Sequence, residues 1–381
     1  MSNGPAYLGR RRVLKAAAAV GLGIGAEQLF SARPAGAATT RSGADTSYVI
    51  DCAGWSARPP SSPISLSNGT TDRIIVHQTE WPNTTDYSQA RAVALAQEIQ
   101  NLHMDTNGWI DTGQHFTVSR GGYVLEGRHR SLEGLNDGGF QPVSAHAVGE
   151  NTRAIGIENE GTYFTETPTQ MLLDALVGLL TDVCTQYGLG AHRIFGHWDF
   201  NDTDCPGYAF YPLFPQLRLR TAQALAQDPA SVPARTWPDP YASSAGATVV
   251  TVQYLLKAQG YQLKTDGTMS NSTLKAISGF QKAHGLPVSS NGTVSQPTWE
   301  ALATPTGPGA TGSAVLAAQS MLAHKGYSVT ANGTYDQATI SAVAAMQQLH
   351  GLPQTGSLDT AGWCATVGGI VAQEFTALGT A

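Results

Sequence analysis

Apolar positions along the chain change period several times, and each change marks an element. Arg73-Ile-Ile-Val-His77 sets three β-branched residues in a row, as expected of a strand buried on both faces. Between residues 88 and 103, Ala92, Leu95, Ala96, Ile99 and Leu102 fall at helical spacing and predict an amphipathic helix. Gln114–Ser119 and Gly122–Glu126 read as strands joined at Arg120-Gly121, a hairpin signal. Ala154–Glu158 reads as a further strand. A long helix is predicted from Thr169 to Tyr187, with Thr169 as its cap and Gly188 as its stop. Arg193-Ile-Phe-Gly196 then leads into a polar, turn-rich loop, Gly196-His-Trp-Asp-Phe-Asn-Asp-Thr-Asp-Cys-Pro-Gly207. Strands alternating with helices over residues 45–226 predict an α/β (α+β) domain, its mixed central sheet flanked by helices.

The periodicity stops at residues 227–246, a Pro-rich stretch that reads as a semi-rigid linker. Beyond it the chain repeats itself. Gln253, Leu256, Gly260-Tyr261 and Gly267-Thr268 recur as Gln319, Leu322, Gly326-Tyr327 and Gly333-Thr334; Gln281 and His284-Gly-Leu-Pro287 recur as Gln347 and His350-Gly-Leu-Pro353. Trp299 returns as Trp363 after a two-residue loss. Agreement at so many fixed offsets predicts two small all-α three-helix repeats, 247–303 and 313–367, joined by a linker at 304–312.

Length supports this division, since 381 residues exceed one ordinary domain. The first 38 residues are expected to be removed. Arg10-Arg11 and Val13-Leu14-Lys15 precede an Ala/Gly-rich apolar run and the small-residue site Ala35-Gly36-Ala37, which resembles a twin-arginine export signal. The apolar run is short of the roughly 20 residues a membrane span requires. Five of the 22 basic residues and one of the 28 acidic residues lie in this segment, leaving 17 and 27 and a net charge of −10. So acidic a chain has little to offer phosphates, and nucleic acid is excluded as a partner. The expected product is an exported monomer with no membrane span.

The loop at 196–207 raises the question of chemistry. His197 and, eight residues on, Cys205 are both good ligands for zinc. His77, closing a buried strand, is the natural third. An isolated histidine after a strand is ordinarily a core or hydrogen-bonding residue. Two strand ends presenting imidazoles at one sheet edge, with a cysteine, would instead leave a fourth position for water, the pattern of a catalytic site. With Cys205 so used, Cys52–Cys184 is the expected disulfide, free buried thiols being the alternative.

Ile74–Thr79, Gln114–Phe116, Ser144-Ala-His146-Ala, Asn151-Thr-Arg-Ala-Ile-Gly-Ile-Glu158 and His197…Cys205-Pro-Gly together resemble the zinc-dependent N-acetylmuramoyl-L-alanine amidases, of the superfamily that includes the peptidoglycan recognition proteins. The resemblance spans residues 45–226, and the repeats are similar to the peptidoglycan-binding domain of cell-wall hydrolases. It implies one Zn2+ held by His77, His197 and Cys205. It also implies hydrolysis of the amide between N-acetylmuramic acid and L-alanine, with peptidoglycan as partner and the repeats tethering a secreted, wall-associated enzyme. Two departures bear on mechanism. Gln114 stands where phage-type relatives carry a tyrosine, and Thr203 where some carry an oxyanion-steadying lysine. Glutamine cannot accept a proton at neutral pH, which moves the general base to Glu158, as in the anhydro-muropeptide amidases. An arginine partner inside the sheet is the structural alternative for Glu158. Glu160, expected on the same strand face, is the reserve candidate. The resemblance further assigns His146, Asn151 and Gln114 to the substrate groove and Thr203 to the catalytic set. His103, His129 and His192 read as solvated, and His284 and His350 as helix C-terminal residues. A non-catalytic wall-binding protein and a zinc peptidase of stem peptides are the competing readings.

Overall fold

Ile74-Ile75-Val76 lies fully buried at the heart of the fold in a computed structural model that describes residues 44–379. The expected export segment lies outside the described residues. The run forms β3 (Arg73–Gln78), with β7 (Ala154–Asn159) and β8 (Ile194–Gly196) parallel on either side. Outward from β7 come β4 (Phe116–Val118), parallel to it, then β5 (Val124–Glu126), antiparallel to β4, then β1 (Val49–Ile50). The six-stranded sheet is therefore mixed, in the order β1-β5-β4-β7-β3-β8. A small ribbon of β2 (Leu66–Asn68) and β6 (Phe140–Pro142) stands beside it. A central strand buried on both faces can only be apolar throughout, which explains the unbroken Ile-Ile-Val.

Helices cover the sheet as their periodicity requires. α1 (Gln89–Asn101) buries Ala92, Leu95, Ala96 and Ile99, then continues as a π-helical turn, Leu102–Thr106. α2 (Ser131–Asp137) follows the hairpin. α3 (Gln170–Tyr187) is capped by Thr169, whose hydroxyl accepts the Leu172 N–H, and stopped by Gly188 in the left-handed region. α4 (Phe214–Ala224) closes the domain. No helix among the described residues is long and apolar enough to cross a membrane.

The C-terminal half holds two triplets, α5 (Ala247–Ala258), α6 (Asn271–Ala283) and α7 (Gln296–Leu302), then α8 (Ser313–His324), α9 (Gln337–Leu349) and α10 (Thr360–Thr366). The recurring glutamines explain the repeat. Buried Gln253 accepts from the Gly267 N–H and donates to the Thr268 carbonyl and Thr273 hydroxyl. Gln319 does the same for Gly333, Thr334 and Thr339. Gln281 and Gln347 clamp the second turn of each triplet in the same manner. Each turn thus has its buried backbone groups satisfied by one amide. The two tryptophans donate to the segments preceding their own repeats, Trp299 to Pro238 O and Trp363 to Thr304 O.

Two expectations change here. Residues 227–246 form a folded bridge rather than a spacer. Buried Arg73, at the start of the central strand, needs counter-charge; Asp239 from the bridge supplies it and also pairs with Arg153. Trp237 stacks on Trp299, and β9 (Arg235–Thr236) pairs antiparallel with β10 (Ile370–Val371). The tail beyond β10 returns to the sheet domain, where Ile370 and Phe375 join its core and Glu374 pairs with buried Arg218 at 2.8 Å. The Cys52–Cys184 disulfide is the second correction. Both cysteines are free. Cys184 points into the main core from α3, while Cys52 packs with Trp55 and Leu125 in a separate cluster near Gly127 O.

Candidate metal centre

The carboxyl ends of β3, β7 and β8 converge on one point because of their register. His77 is paired with Glu158 across β3–β7, and Thr117 with the same Glu158 across β4–β7. Paired residues on neighbouring parallel strands share a sheet face, so His77, Glu158 and Thr117 project together. β8 pairs Val76 with Gly196, and the next residue is His197. The loop after it returns Cys205 to the end of β3, where the Gln78 N–H donates to Cys205 Sγ at 3.3 Å. One ligand atom from each of His77, His197 and Cys205 lies within 4.8 Å of the others.

Hydrogen bonds decide which nitrogens face the centre. His146 Nε2 lies 3.2 Å from the Ala154 carbonyl, which can only accept, so His146 Nδ1 is the acceptor. His77 Nε2, 3.0 Å from that Nδ1, must then donate, leaving the Nδ1 lone pair of His77 turned toward Cys205 Sγ at 3.7 Å. At His197, Nε2 donates to Asn201 Oδ1, an orientation fixed because Asn201 Nδ2 donates to the Val148 and Phe200 carbonyls. Burial lowers the basicity of both imidazoles, His197 to about 4, and keeps them neutral and able to ligate. Burial equally pushes the Cys205 thiol up, so a thiolate here calls for a cation. Two neutral nitrogens, a buried sulfur with one N–H already directed at it, and close spacing fit a metal ion of borderline softness.

Glu158 is half-buried and has no hydrogen-bond or ion-pair partner among the described residues; burial, then nearby Glu80, raises its carboxyl to about 8. The arginine pairing falls instead to Glu160. The strand ends at Asn159, the chain turns, and Glu160 accepts from Arg91 Nε at 3.1 Å and Arg120 N at 2.8 Å. Its carboxylate is committed to these two donors, whereas that of Glu158 is not.

The other expected residues surround this centre at different depths. His146 is buried over Gly156, where any Cβ would run into its ring at 2.3 Å. It is committed to His77 and Ala154. Half-buried Asn151 accepts from Ala147 N and Ser144 Oγ, shaping the loop that carries His146. Gln114 is fully buried and donates to Thr117 Oγ1, beneath Glu158. Thr203, half-buried, accepts the Cys205 N–H at 3.1 Å. Asn201 was not singled out from sequence. Its position four residues after His197 was the one available signal. Two histidines also differ from expectation: His103 is buried and accepts from Gly113 N, and His129 pairs with buried Asp111.

Known families match the same stretches of the chain. The N-acetylmuramoyl-L-alanine amidase family matches residues 67–208, and the peptidoglycan binding domain family matches residues 245–302 and 311–364. Peptidoglycan-recognition protein SC2 of Drosophila melanogaster is 32% identical over 162 residues, which cover 42% of this chain and 80% of that protein. The N-acetylmuramoyl-L-alanine amidase of Homo sapiens is 30% identical over 196 residues, 51% of this chain but 32% of that protein. Among solved structures, the endolysin N-acetylmuramoyl-L-alanine amidase LysCS from Clostridium intestinale is 25% identical with a TM-score of 0.36, covering 46% of this chain and 96% of that one. The chain belongs to the N-acetylmuramoyl-L-alanine amidase and peptidoglycan-recognition protein family and carries two repeats of the peptidoglycan-binding type.

Proposed function

We propose that this protein is an exported, wall-associated zinc hydrolase that cleaves the amide between N-acetylmuramic acid and L-alanine in peptidoglycan. The observation that carries this reading is the His77–His197–Cys205 cluster with an unpartnered carboxylate, Glu158, on the same sheet face. A purely binding protein has no use for a buried sulfur beside two neutral imidazoles. Zinc held by His77 Nδ1, His197 Nδ1 and Cys205 Sγ would supply Lewis acidity to the substrate carbonyl and acidity to water.

The chain's own residues supply the rest. Burial keeps the Glu158 carboxyl largely protonated near neutral pH, and a cation held beside it would favour the ionised form. Glu158 then accepts the proton of the attacking water as the water oxygen bonds to the carbonyl carbon. It then delivers that proton to the alanine nitrogen as the C–N bond breaks. The second proton of the water stays on the new carboxyl group, so that a carboxylic acid and an amine leave, and the acid then ionises in solution. Thr203 Oγ1 accepts from Cys205 N and keeps its own proton to donate to the developing oxyanion. Asn151 and Gln114 support the groove walls. His146 holds His77 in the tautomer that ligates. Partners of this kind typically change metal affinity by roughly 10–100-fold, and His146→Ala is expected to weaken zinc binding by that amount in a chelator competition. Unchanged affinity with weakened substrate binding would return His146 to the groove.

The repeats are assigned to the wall polymer, which raises local substrate concentration without adding catalytic contacts. Mass spectrometry of digested peptidoglycan tests the bond. Free stem peptides beginning at L-alanine, with muramic acid lactyl groups intact, are expected. Cuts within the stem peptide, or none, would refute the reading.

A further inference from the structure

The loop that carries two of the three ligands does not stand on the sheet domain alone. From His197 to Tyr208 it is packed against both repeats and the turn after α10. At the start of α5, Ala245 N donates to Phe200 O at 3.3 Å, and buried Thr248 donates from its hydroxyl to Asp199 O at 3.0 Å. Gly246 comes so close that a Cβ there would sit 2.8 Å from Asp202 Cα. At the end of α8, His324 lies with its ring 5.1 Å from that of Trp198, and Gly326 faces Tyr208. After α10, Gly368 (φ +89°) abuts the Asp199 carboxylate; a Cβ would lie 2.2 Å from Oδ1. That carboxylate accepts the Gly196 N–H and the Tyr211 hydroxyl, each at 2.8 Å, and so fixes the peptide immediately before His197.

Three segments far apart in sequence thus converge on Trp198, Asp199 and Phe200, between the two ligands. The docking is locked elsewhere by the Arg218–Glu374 and Arg73–Asp239 pairs and by β9–β10. A tether would need none of this. We propose that the paired repeats and tail are a positioning element of the metal site, holding the His197–Cys205 loop against His77 in addition to any contact with wall polymer.

The inference rests on the metal-site reading above. By linkage, a body that favours the ligand geometry must itself be favoured when the metal binds. Two measurements on the full chain test it, after zinc binding to the unaltered protein has been established. Hydrogen exchange with and without zinc should show added protection at residues 245–250 and 322–327, as well as at 197–207. Thr248→Val keeps shape and loses one hydrogen bond, and zinc affinity should fall roughly 3–10-fold. Gly368→Ala displaces the Asp199 carboxylate and should cost roughly 10–100-fold. Protection confined to 197–207, or unchanged affinity in folded Thr248→Val, overturns the proposal. Failure of the unaltered chain to bind zinc would instead refute the metal site itself.

Discussion

The Cys205→Ser chain is expected to lose zinc and hydrolysis together. Serine preserves the volume at the end of β3, and the Gln78 N–H can still find an oxygen, so the fold should persist. What disappears is the one donor able to become anionic in this buried setting. A hydroxyl does not ionise where even a thiol is pushed up by burial. Two neutral imidazoles remain, and two ligands do not make a closed coordination shell for zinc. Loss of an outer partner costs roughly 10–100-fold in affinity, and loss of a direct ligand should exceed that. Elemental analysis of the purified variant should find no stoichiometric zinc. Added zinc should raise the Tm of the unaltered chain by mass action and leave that of the variant unmoved. A variant that keeps both zinc and full activity would remove Cys205 from the site.

Much of this centre was legible because its scaffolding is local. Ile74-Ile75-Val76 declares a buried strand by composition, and Thr169 and Gly188 mark both ends of α3 by capping chemistry. The eight-residue gap from His197 to Cys205 falls within one loop. What escaped the sequence is nearly all non-local. Asp239 sits in a Pro-rich stretch that reads as a spacer, and only its contact with Arg73 and Arg153, more than 80 residues away, makes it a lock. β9 and β10 are two residues each, too short for any periodicity to register, and they exist only by pairing with one another.

Side-chain direction was the other blind spot. Alternation places Glu160 beside Glu158 only if the strand continues, and it stops at Asn159. His146 was recognisable as a member of a motif, but which ring nitrogen meets which neighbour depends on Gly156 leaving room for the ring and on the Ala154 carbonyl. The same holds for the duplicated glutamines. Their recurrence was plain, whereas their task, clamping a glycine turn to the following helix, required the fold.

Glu158→Gln should separate metal binding from catalysis. The substitution is nearly isosteric, and the carboxylate has no structural partner among the described residues, so nothing in the sheet depends on its charge. Its register partner His77 is oriented from the other side by His146, and Cys205 by Gln78. Zinc content should therefore stay near stoichiometric, with little change in Tm. Glutamine, however, cannot accept a proton from water at neutral pH. Loss of a positioned general base typically lowers the rate by roughly 10²–10⁴-fold. That loss should appear in kcat with KM little altered, because an interaction made only in the transition state is removed. The matched Glu160→Gln variant should behave in the opposite way. It breaks buried contacts to Arg91 and Arg120, so stability should fall while kcat per folded, zinc-loaded molecule stays near that of the unaltered chain. A Glu158→Gln enzyme with undiminished kcat would require a different base, and Glu80, which lies near both Glu158 and Cys205 with no side-chain partner among the described residues, would be the next carboxylate to test.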